Sequence, residues 1–380
     1  MKYEEIIQKN QQWIDETWKK LDEKLSRTAV KSRYKIPYTT VNGEHDDRSK
    51  GGNILMWTNG FWGGLMWQMY VGTGKECYKL TAEESERMLD GAFRYMNNWH
   101  HDVGFMWHIT SGVNYRLTGN EASKNRNLLA AMSLMSRYNV DGNYIRCWNG
   151  EDNAGWSIID CMMNIPILYW ASKEIGDPRF TRIAMRHADM SMRDHVREDG
   201  SINHIVVHDT EKADTMLGVR TGQGYSETSC WSRGASWALY GFTLSYIHTK
   251  AERYLDTAKK VANYFIQETE KTGWLPKLDF RQPEEPLYYD STAGAIASCG
   301  LIELAKLVED ENEKEKYLVA AINILRAMEK NWCDWTETED SILQMGSHKY
   351  DKEQHMPIIY GDYYFAEAIL KLKGTDFLAW

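Results

Sequence analysis

Apolar residues recur along the chain with the 3.6-residue period of helices, and glycines interrupt the pattern at intervals. Signals for strands are scarce. The predicted helices are of two kinds. Charged, amphipathic helices with one polar face cover 4–25, 82–98, 121–138, 179–195, 251–269 and 312–331. Helices that are poor in charge and rich in small and aromatic residues cover 61–70, 105–117, 158–175, 232–249, 292–308 and 363–372.

The two kinds of helix alternate along the whole chain, six of each. A helix without a polar face has to be surrounded by protein, whereas an amphipathic helix can face water on one side. Helix hairpins of this type close into an all-α (α/α)6 barrel with an inner and an outer ring. We therefore predict a single (α/α)6 domain over residues 1–380.

The composition of the chain narrows its class. With 43% hydrophobic and 26% charged residues among 380, it can bury a sizeable core, which excludes a disordered protein. No window approaches the ~20 apolar residues of a membrane span, and residues 1–5 lead into a charged helix without an apolar leader. We expect a cytoplasmic protein. The six cysteines are scattered and form no C-x-x-C pair, so we expect reduced thiols.

Charge and aromatic content point to the kind of ligand. A net charge of −9 repels polyanions, which makes nucleic acid an unlikely partner. The chain has 16 Trp and 22 Tyr but only 9 Phe, so most of its aromatic rings carry a polar group. Such side chains can stack on sugar rings and bond their hydroxyls, although packing between helices would also explain them.

Polar residues cluster where the enclosed helices begin, and in a barrel these positions lie at one end. The segments are 57–60, 101–104, Asp160, 231–234, 289–291 and 360–362. Acidic residues at helix starts often only cap free N–H groups, and we expect this of Asp290 and Asp362. Asp102 and Asp160 lie among other residues suited to recognition. Environment can divide acid and base roles between two such carboxyl groups.

The segment 221–237 is the densest in candidate residues. Arg233 and Trp237 are four residues apart and share a helical face, where a guanidinium can bind a carboxylate while an indole supports a ring. This arrangement suits an anionic sugar. Gly234 would permit close approach, as would tight helix packing.

Other cofactor and catalytic motifs are absent from the sequence. His204 and His208 are four apart, but Ile205 stands where a zincin needs Glu, so no metal is expected. The apolar run after His204 favours a strand of a hairpin, and His204 could then bond a ligand or the protein itself. There is no dinucleotide fingerprint, P-loop or nucleophile elbow, so we expect no cofactor and no serine hydrolysis.

Six motifs, in order along the chain, together resemble glycoside hydrolase family 88, the unsaturated glucuronyl hydrolases. They are Trp57-Thr-Asn-Gly-Phe-Trp62, His101-Asp-Val-Gly-Phe105, Arg146-Cys-Trp-Asn149, Ile159-Asp-Cys-Met-Met-Asn164, Asp199-Gly-Ser201 with His204, and Gln223-Gly-Tyr-Ser to Trp231-Ser-Arg-Gly234. The resemblance runs from about residue 50 to 360–364, and it implies the same (α/α)6 barrel that the helix pattern predicts.

The resemblance implies an unusual hydrolysis. Family members take lyase-generated oligosaccharides, add a proton to C4 and water to C5 of the unsaturated uronic acid, and so release it without a metal or cofactor. By motif position, Asp160 matches the general acid/base and Asp102 the second carboxylate. The residues that match pocket or wall positions are Trp57, His101, Trp148, His204, Gln223, Arg233 and Trp237. The implied substrate is a small unsaturated oligosaccharide, and we expect it to be a disaccharide derived from a glycosaminoglycan.

Three alternatives stay open at this point. An unsaturated rhamnogalacturonyl hydrolase would share the barrel and the W-x-R-G helix, and a non-catalytic sugar-binding protein would keep the aromatic cleft. An α/α-barrel epimerase would need more histidines at the helix starts. Relatives that prefer sulfated substrates carry a Ser- and Lys-containing segment near the C terminus, and here only Ser347-His348-Lys349 is comparable. Sulfate preference is therefore left undecided.

Overall fold

The computed structural model describes residues 3–380, which form twelve α-helices and seven short strands. The helices are α1 (Tyr3–Lys31), α2 (Phe61–Thr73), α3 (Glu76–Leu89), α4 (Ser111–Thr118), α5 (Glu121–Ser136), α6 (Pro166–Ile175), α7 (Pro178–Asp194), α8 (Ser232–Thr249), α9 (Glu252–Glu270), α10 (Ser291–Leu307), α11 (Glu311–Trp332) and α12 (Ile359–Leu372). The strands are β1 (Thr40–Val41), β2 (Glu44–His45), β3 (Tyr138–Asn139), β4 (Tyr144–Ile145), β5 (Trp156–Ile158), β6 (Ile205–His208) and β7 (Met216–Arg220). Between Tyr3 and Trp380, no helix is both long and apolar enough to cross a membrane.

The even-numbered helices form a closed inner ring. In this ring α12 packs against α2 and α10, α8 packs against α10 and α6, and α4 packs against α2, while a π-helical turn ahead of α4 closes the ring onto α6. Each inner helix also packs against the next helix in the chain, and α12 packs against α1. The predicted all-α (α/α)6 barrel is confirmed.

Small residues let the inner helices approach one another closely. In α8, a Cβ atom on Gly241 would lie 2.5 Å from the Cβ of Met162 and 2.8 Å from its carbonyl oxygen. Real side chains do not tolerate such distances, so only glycine fits here. The inner helices bury residues on all sides, with Trp237 and Tyr240 among the largest fully buried side chains. This is why these helices lack the polar face that the outer helices keep.

Two enclosed helices begin differently from the prediction. The 158–175 segment starts in β5, continues as a 3₁₀-helix over Ile159–Met163, and becomes α6 at Pro166, whose missing N–H is tolerated at the first helical position. The 105–117 segment starts with a π-helical turn over Gly104–His108, and α4 follows only after a break. Asp102 and Asp160 therefore lie on irregular backbone, as functional residues often do.

A small antiparallel sheet confirms the predicted hairpin and positions one of the candidate carboxyl groups. Strand β6 pairs with both β5 and β7, and Ile158 lies opposite Ile205. The ladder continues one step further, because the N–H of Ile159 donates to the carbonyl of His204 at 3.1 Å. This register brings Asp160, the next residue, beside the His204 side chain.

Two buried histidines share one hydroxyl group next to this sheet. Ser157 Oγ lies 2.9 Å from His195 Nε2 and 2.8 Å from His208 Nε2. Since His195 Nδ1 donates to the Asn203 carbonyl, a neutral His195 ring must accept the Ser157 proton at Nε2. Burial lowers the pKa of His195 to about 3 and that of His208 to about 4, although Asp194 opposes the shift at both rings.

We expect the free energy of unfolding to fall as the pH drops from about 6.5 towards 4. Both native pKa values lie below the unfolded value, so the unfolded chain binds protons first, and each histidine costs about 1.4 kcal/mol per pH unit in this window. Urea unfolding at a series of pH values measures the slope. In His208→Gln, the amide can still donate to Ser157. The dependence of the unfolding free energy on pH should then become shallower by about 1.4 kcal/mol per pH unit, the share of one histidine. An unchanged slope would contradict this account.

Candidate active site

A cavity of about 440 Å³ opens where β5 and the segments ahead of the inner helices meet. It is lined by seven of the nine residues singled out from the sequence: Trp57, His101, Asp102, Trp148, Asp160, His204 and Gln223. Four further polar residues in its wall are His100, His348, Lys349 and Lys352. The cavity thus combines two carboxyl groups, several imidazoles, two indoles and two ammonium groups.

A larger cavity of about 700 Å³ lies beside α1 and the end of α12. Its lysines are already paired, since Lys371 lies 2.6 Å from Glu303 and Lys314 lies 2.6 Å from Glu311. It contains none of the candidate residues from the sequence. We therefore assign the chemistry to the smaller cavity.

Asp102 is a fixed anion. Its Oδ1 lies 3.1 Å from His101 Nε2 and accepts a hydrogen bond from Asn164 Nδ2 at 3.2 Å, and its Oδ2 lies 3.2 Å from His100 Nδ1. Burial by itself raises the pKa of Asp102, but the neighbouring histidines outweigh burial and hold the pKa well below its ordinary value. Asp102 is consequently suited to stabilising positive charge and not to donating a proton.

His101 is oriented by a backbone carbonyl. Its Nδ1 donates to the Cys147 carbonyl at 3.0 Å, which leaves Nε2 facing Asp102. Burial opposes a charged ring, but the Asp102 carboxylate outweighs burial, and the pKa of His101 is raised. The two groups therefore form an ion pair enclosed by protein, with each member favouring the charged form of the other.

Asp160 has the opposite surroundings. Its Oδ1 is buried and has no hydrogen-bond partner. His204 Nε2 lies 3.6 Å from this oxygen. His204 Nδ1 accepts the backbone N–H of Gln223 at 3.2 Å, so the proton of the neutral ring lies on Nε2 and points towards Asp160. The ring also packs on Trp231 at 4.2 Å between centroids. This carboxyl group is available for proton transfer.

The indoles of Trp57 and Trp148 form the aromatic part of the wall. Trp57 packs against Tyr360 and Phe105 with centroid distances of 5.0 and 5.2 Å, and Trp148 meets the His101 ring edge-on at 5.7 Å. Both indoles line the cavity and are only partly buried. They offer flat apolar surfaces of the kind on which sugar rings stack.

Arg233 does not line the cavity, so the expected contact between its guanidinium and a sugar carboxylate needs correction. The side chain is fully buried and forms an ion pair with Asp290. Its nitrogens also donate to the carbonyls of Ser347 and His348 at 2.6 and 2.7 Å. The charge and donors of Arg233 are thus used within the protein. Through its bond to the His348 carbonyl, Arg233 also holds the backbone that carries His348 in the cavity wall.

Trp237 is also absent from the cavity wall, which corrects its expected stacking on a sugar. The side chain is fully buried in α8, and its ring packs against Phe105 at 5.1 Å and Tyr364 at 5.5 Å. A shared helical face does place Arg233 and Trp237 on the same side of α8. That face, however, is turned into the barrel wall and not towards the opening.

The two acidic residues expected to cap helices behave differently. Asp290 caps α10, since its side chain accepts the N–H of Thr292 at 3.1 Å. Asp362 does not cap α12. Its carboxylate instead accepts the N–H groups of Ile342 and Leu343 at 3.0 and 2.7 Å, and burial raises its pKa to about 7.

Three neighbouring side chains have the geometry to bind a metal. Potential ligand atoms of His100, His101 and Asp102 lie within 4.8 Å of one another. The contacts with Asp102 account for this proximity, because each histidine already faces one oxygen of Asp102. That the site works without a metal stays a prediction.

Sequence reasoning missed several residues at the site. Lys352 comes from the segment 346–356, which has no helical period and no strand pattern to reveal its position. His348 and Lys349 lie in the same segment, and the sequence suggests for them only a comparison with sulfate-preferring relatives. His100 had one signal, because it precedes His101. Asn164 closes a motif quoted above, but no feature of the sequence indicates that its amide contacts Asp102.

Comparison with known proteins identifies the family to which this chain is similar. The profile of Glycosyl Hydrolase Family 88 matches residues 29–246. An unsaturated glucuronyl hydrolase from Bacillus sp. (strain GL1) is 34% identical over 330 residues, which cover 83% of this chain and 86% of the relative. An unsaturated chondroitin disaccharide hydrolase from Streptococcus pneumoniae is 34% identical over 334 residues, covering 85% and 83%.

The fold comparison gives the same answer. A crystal structure of the unsaturated glucuronyl hydrolase from Bacillus sp. GL1 superimposes with a TM-score of 0.87 at 30% identity and covers 94% of this chain and 97% of that one. The helical barrel and these relatives define the protein as a glycoside hydrolase. The chain belongs to glycosyl hydrolase family 88.

We expect Arg233→Ala to lower the free energy of unfolding by about 3–5 kcal/mol, because it leaves Asp290 buried without its counter-charge. Chemical denaturation measures the loss. Arg253 and Asp189 form a control pair whose side chains are 42% and 44% exposed, and Arg253→Ala should cost less than about 1 kcal/mol. Equal losses for the two variants would contradict the role given to Arg233.

Proposed function

We propose that this protein removes the 4,5-unsaturated uronic acid from the non-reducing end of lyase-generated oligosaccharides, with glycosaminoglycan disaccharides as substrates. The observation that carries the proposal is the contrast between two carboxyl groups in one cavity. Asp102 is held as an anion by its histidine neighbours and accepts a hydrogen bond from Asn164, whereas Asp160 has a buried oxygen without a hydrogen-bond partner. Membership of family 88 and the names of the relatives support the substrate class.

The reaction begins with proton transfer to carbon. The C4=C5 bond of the substrate is part of an enol ether, so protonation at C4 by Asp160 leaves positive charge shared between C5 and the ring oxygen. Asp102 supplies a nearby fixed negative charge, which is most effective in a cavity from which water is largely excluded. His204 keeps its Nε2 proton directed at Asp160 and favours the anion that this step creates.

Water then completes the reaction. As its oxygen bonds to C5, Asp160 takes up one proton and returns to its starting form. The resulting hemiketal opens by breaking the bond between C5 and the ring oxygen, which leaves a ketone at C5 and a hemiacetal at C1. The hemiacetal releases the linked sugar. One water is consumed, and the products are a 4-deoxy-5-keto uronate and the shortened saccharide.

Charge at the cavity suits an anionic disaccharide. The protein carries a net charge of −9, yet Lys349 and Lys352 both line the cavity. Lys349 is paired with Asp351 at 2.8 Å, so Lys352 is the candidate contact for one uronate or a similar small anion, although the protein as a whole repels long polyanions. A cytoplasmic location, where short imported fragments would be met, is part of the same proposal.

The direct test follows the loss of the ultraviolet absorbance of the C4=C5 bond. Purified protein without added metal is mixed with unsaturated disaccharides from hyaluronan, chondroitin and heparin, and we expect the absorbance to fall for at least one of them. Consumption of an unsaturated rhamnogalacturonan disaccharide alone would instead favour the related hydrolase. Tight binding without any turnover would identify a sugar-binding protein.

Asp160→Asn should lower kcat by about 10²–10⁴-fold, because it removes the proton donor but keeps the volume of the side chain. Calorimetry with an unsaturated disaccharide should show that binding is largely retained. Asp141→Asn is a suitable control, since Asp141 is exposed and lies outside the cavity. Wild-type activity in Asp160→Asn would exclude Asp160 as the acid.

A further inference from the structure

Asn164 joins the two segments that carry the candidate carboxyl groups. It is fully buried, directly after the 3₁₀-helix that contains Asp160. Its Nδ2 donates to Asp102 Oδ1 at 3.2 Å and to the main-chain carbonyl of Asp160 at 3.3 Å. Its Oδ1 accepts the N–H of Phe105 at 2.9 Å. One amide therefore contacts the Asp102 side chain, the backbone N–H of Phe105 and the backbone carbonyl of Asp160.

The orientation of this amide is determined by its partners. A backbone N–H can only donate, so the atom of Asn164 that faces Phe105 has to be the oxygen. The amide nitrogen must then face Asp102 and the Asp160 carbonyl, both of which only accept. All hydrogen-bonding groups match, and no flipped arrangement satisfies them.

The backbone is packed tightly around this residue. A Cβ atom on Gly104 would lie 2.7 Å from the Cα of Asn164 and 2.8 Å from its carbonyl oxygen. The two segments thus touch with no space between them, and the side-chain amide bridges them at the contact. A change of Asn164 would act on the distance between Asp102 and Asp160 and on the orientation of the Asp102 carboxylate.

We infer that Asn164 is a positioning residue that orients the Asp102 carboxylate and sets its separation from Asp160. This inference rests on the proposed function. Asn164 lines no part of the cavity and so acts on substrate only through the two carboxyl groups. Its loss should therefore reduce kcat much more than it raises KM.

Asn164→Asp provides a readout that a purely structural role would not move. At low pH the new carboxyl group is protonated and can still donate to Asp102, whereas at higher pH it is ionised and repels Asp102. We expect kcat of this variant, relative to wild type, to rise at least tenfold as the pH is lowered across the titration of the new group. A ratio independent of pH would overturn the inference.

Asn164→Ala removes the donor at every pH, so its kcat should fall at least tenfold with KM changed less than threefold. Asn114→Ala is a matched control, because Asn114 is also buried but donates to Glu86 and touches neither Asp102 nor Asp160. It should lose thermal stability and keep its kcat. If folded Asn164→Ala kept the wild-type kcat, the inference would be wrong.

A double-mutant cycle on thermal unfolding tests the contact without any substrate. The drop in Tm caused by Asn164→Ala should be smaller in an Asp102→Asn background than in wild type, because the charged acceptor is already gone. Additive losses would overturn the contact. An inactive wild type would refute the proposed function, whereas an active wild type with active Asn164 variants would refute only the role of Asn164.

Discussion

A charged side chain inside a helical barrel has to be paired, because an unpaired buried charge costs several kcal/mol, and this constraint organises the molecule. Arg233, fully enclosed, is compensated by Asp290. In α12 the buried Lys371 is compensated by Glu303. Asp160 is the contrast, since one of its oxygens is buried without a hydrogen bond. The buried charges of Arg233 and Lys371 are paired, and Asp160 differs from them because its carboxyl group is available to a substrate.

Two chemically identical side chains acquire different properties from their surroundings. Asp102 contacts two histidines and an amide and is held as an anion, whereas Asp160 Oδ1 has no hydrogen-bond partner and lies 3.6 Å from His204 Nε2. Environment divides acid and electrostatic roles between carboxyl groups in this way in other enzymes. Asn164 contributes to these surroundings from outside the cavity. Its amide donates one hydrogen bond to the Asp102 side chain and another to the backbone carbonyl of Asp160.

Much of the fold and part of the site follow from local pattern. The outer helices keep one polar face and the inner helices keep none, so the alternation of charged and enclosed helices predicts the barrel. The run after His204 predicts the strand that places it beside Asp160. Trp57 and Trp148, which the motifs single out, both line the cavity. Each of these features depends on neighbours within a few residues along the chain.

The sequence by itself determined the ring of helix hairpins and most of the residues at its open end. Only the tertiary structure decided which polar groups face the cavity and which face each other. The motif around Arg233 suggests a ligand contact, but Asp290, 57 residues further on, takes up the guanidinium. The segment 346–356 reaches the cavity without any periodic signal. The physical reason is that periodicity encodes which face of an element is buried, whereas the partner of a buried charge depends on contacts between distant segments.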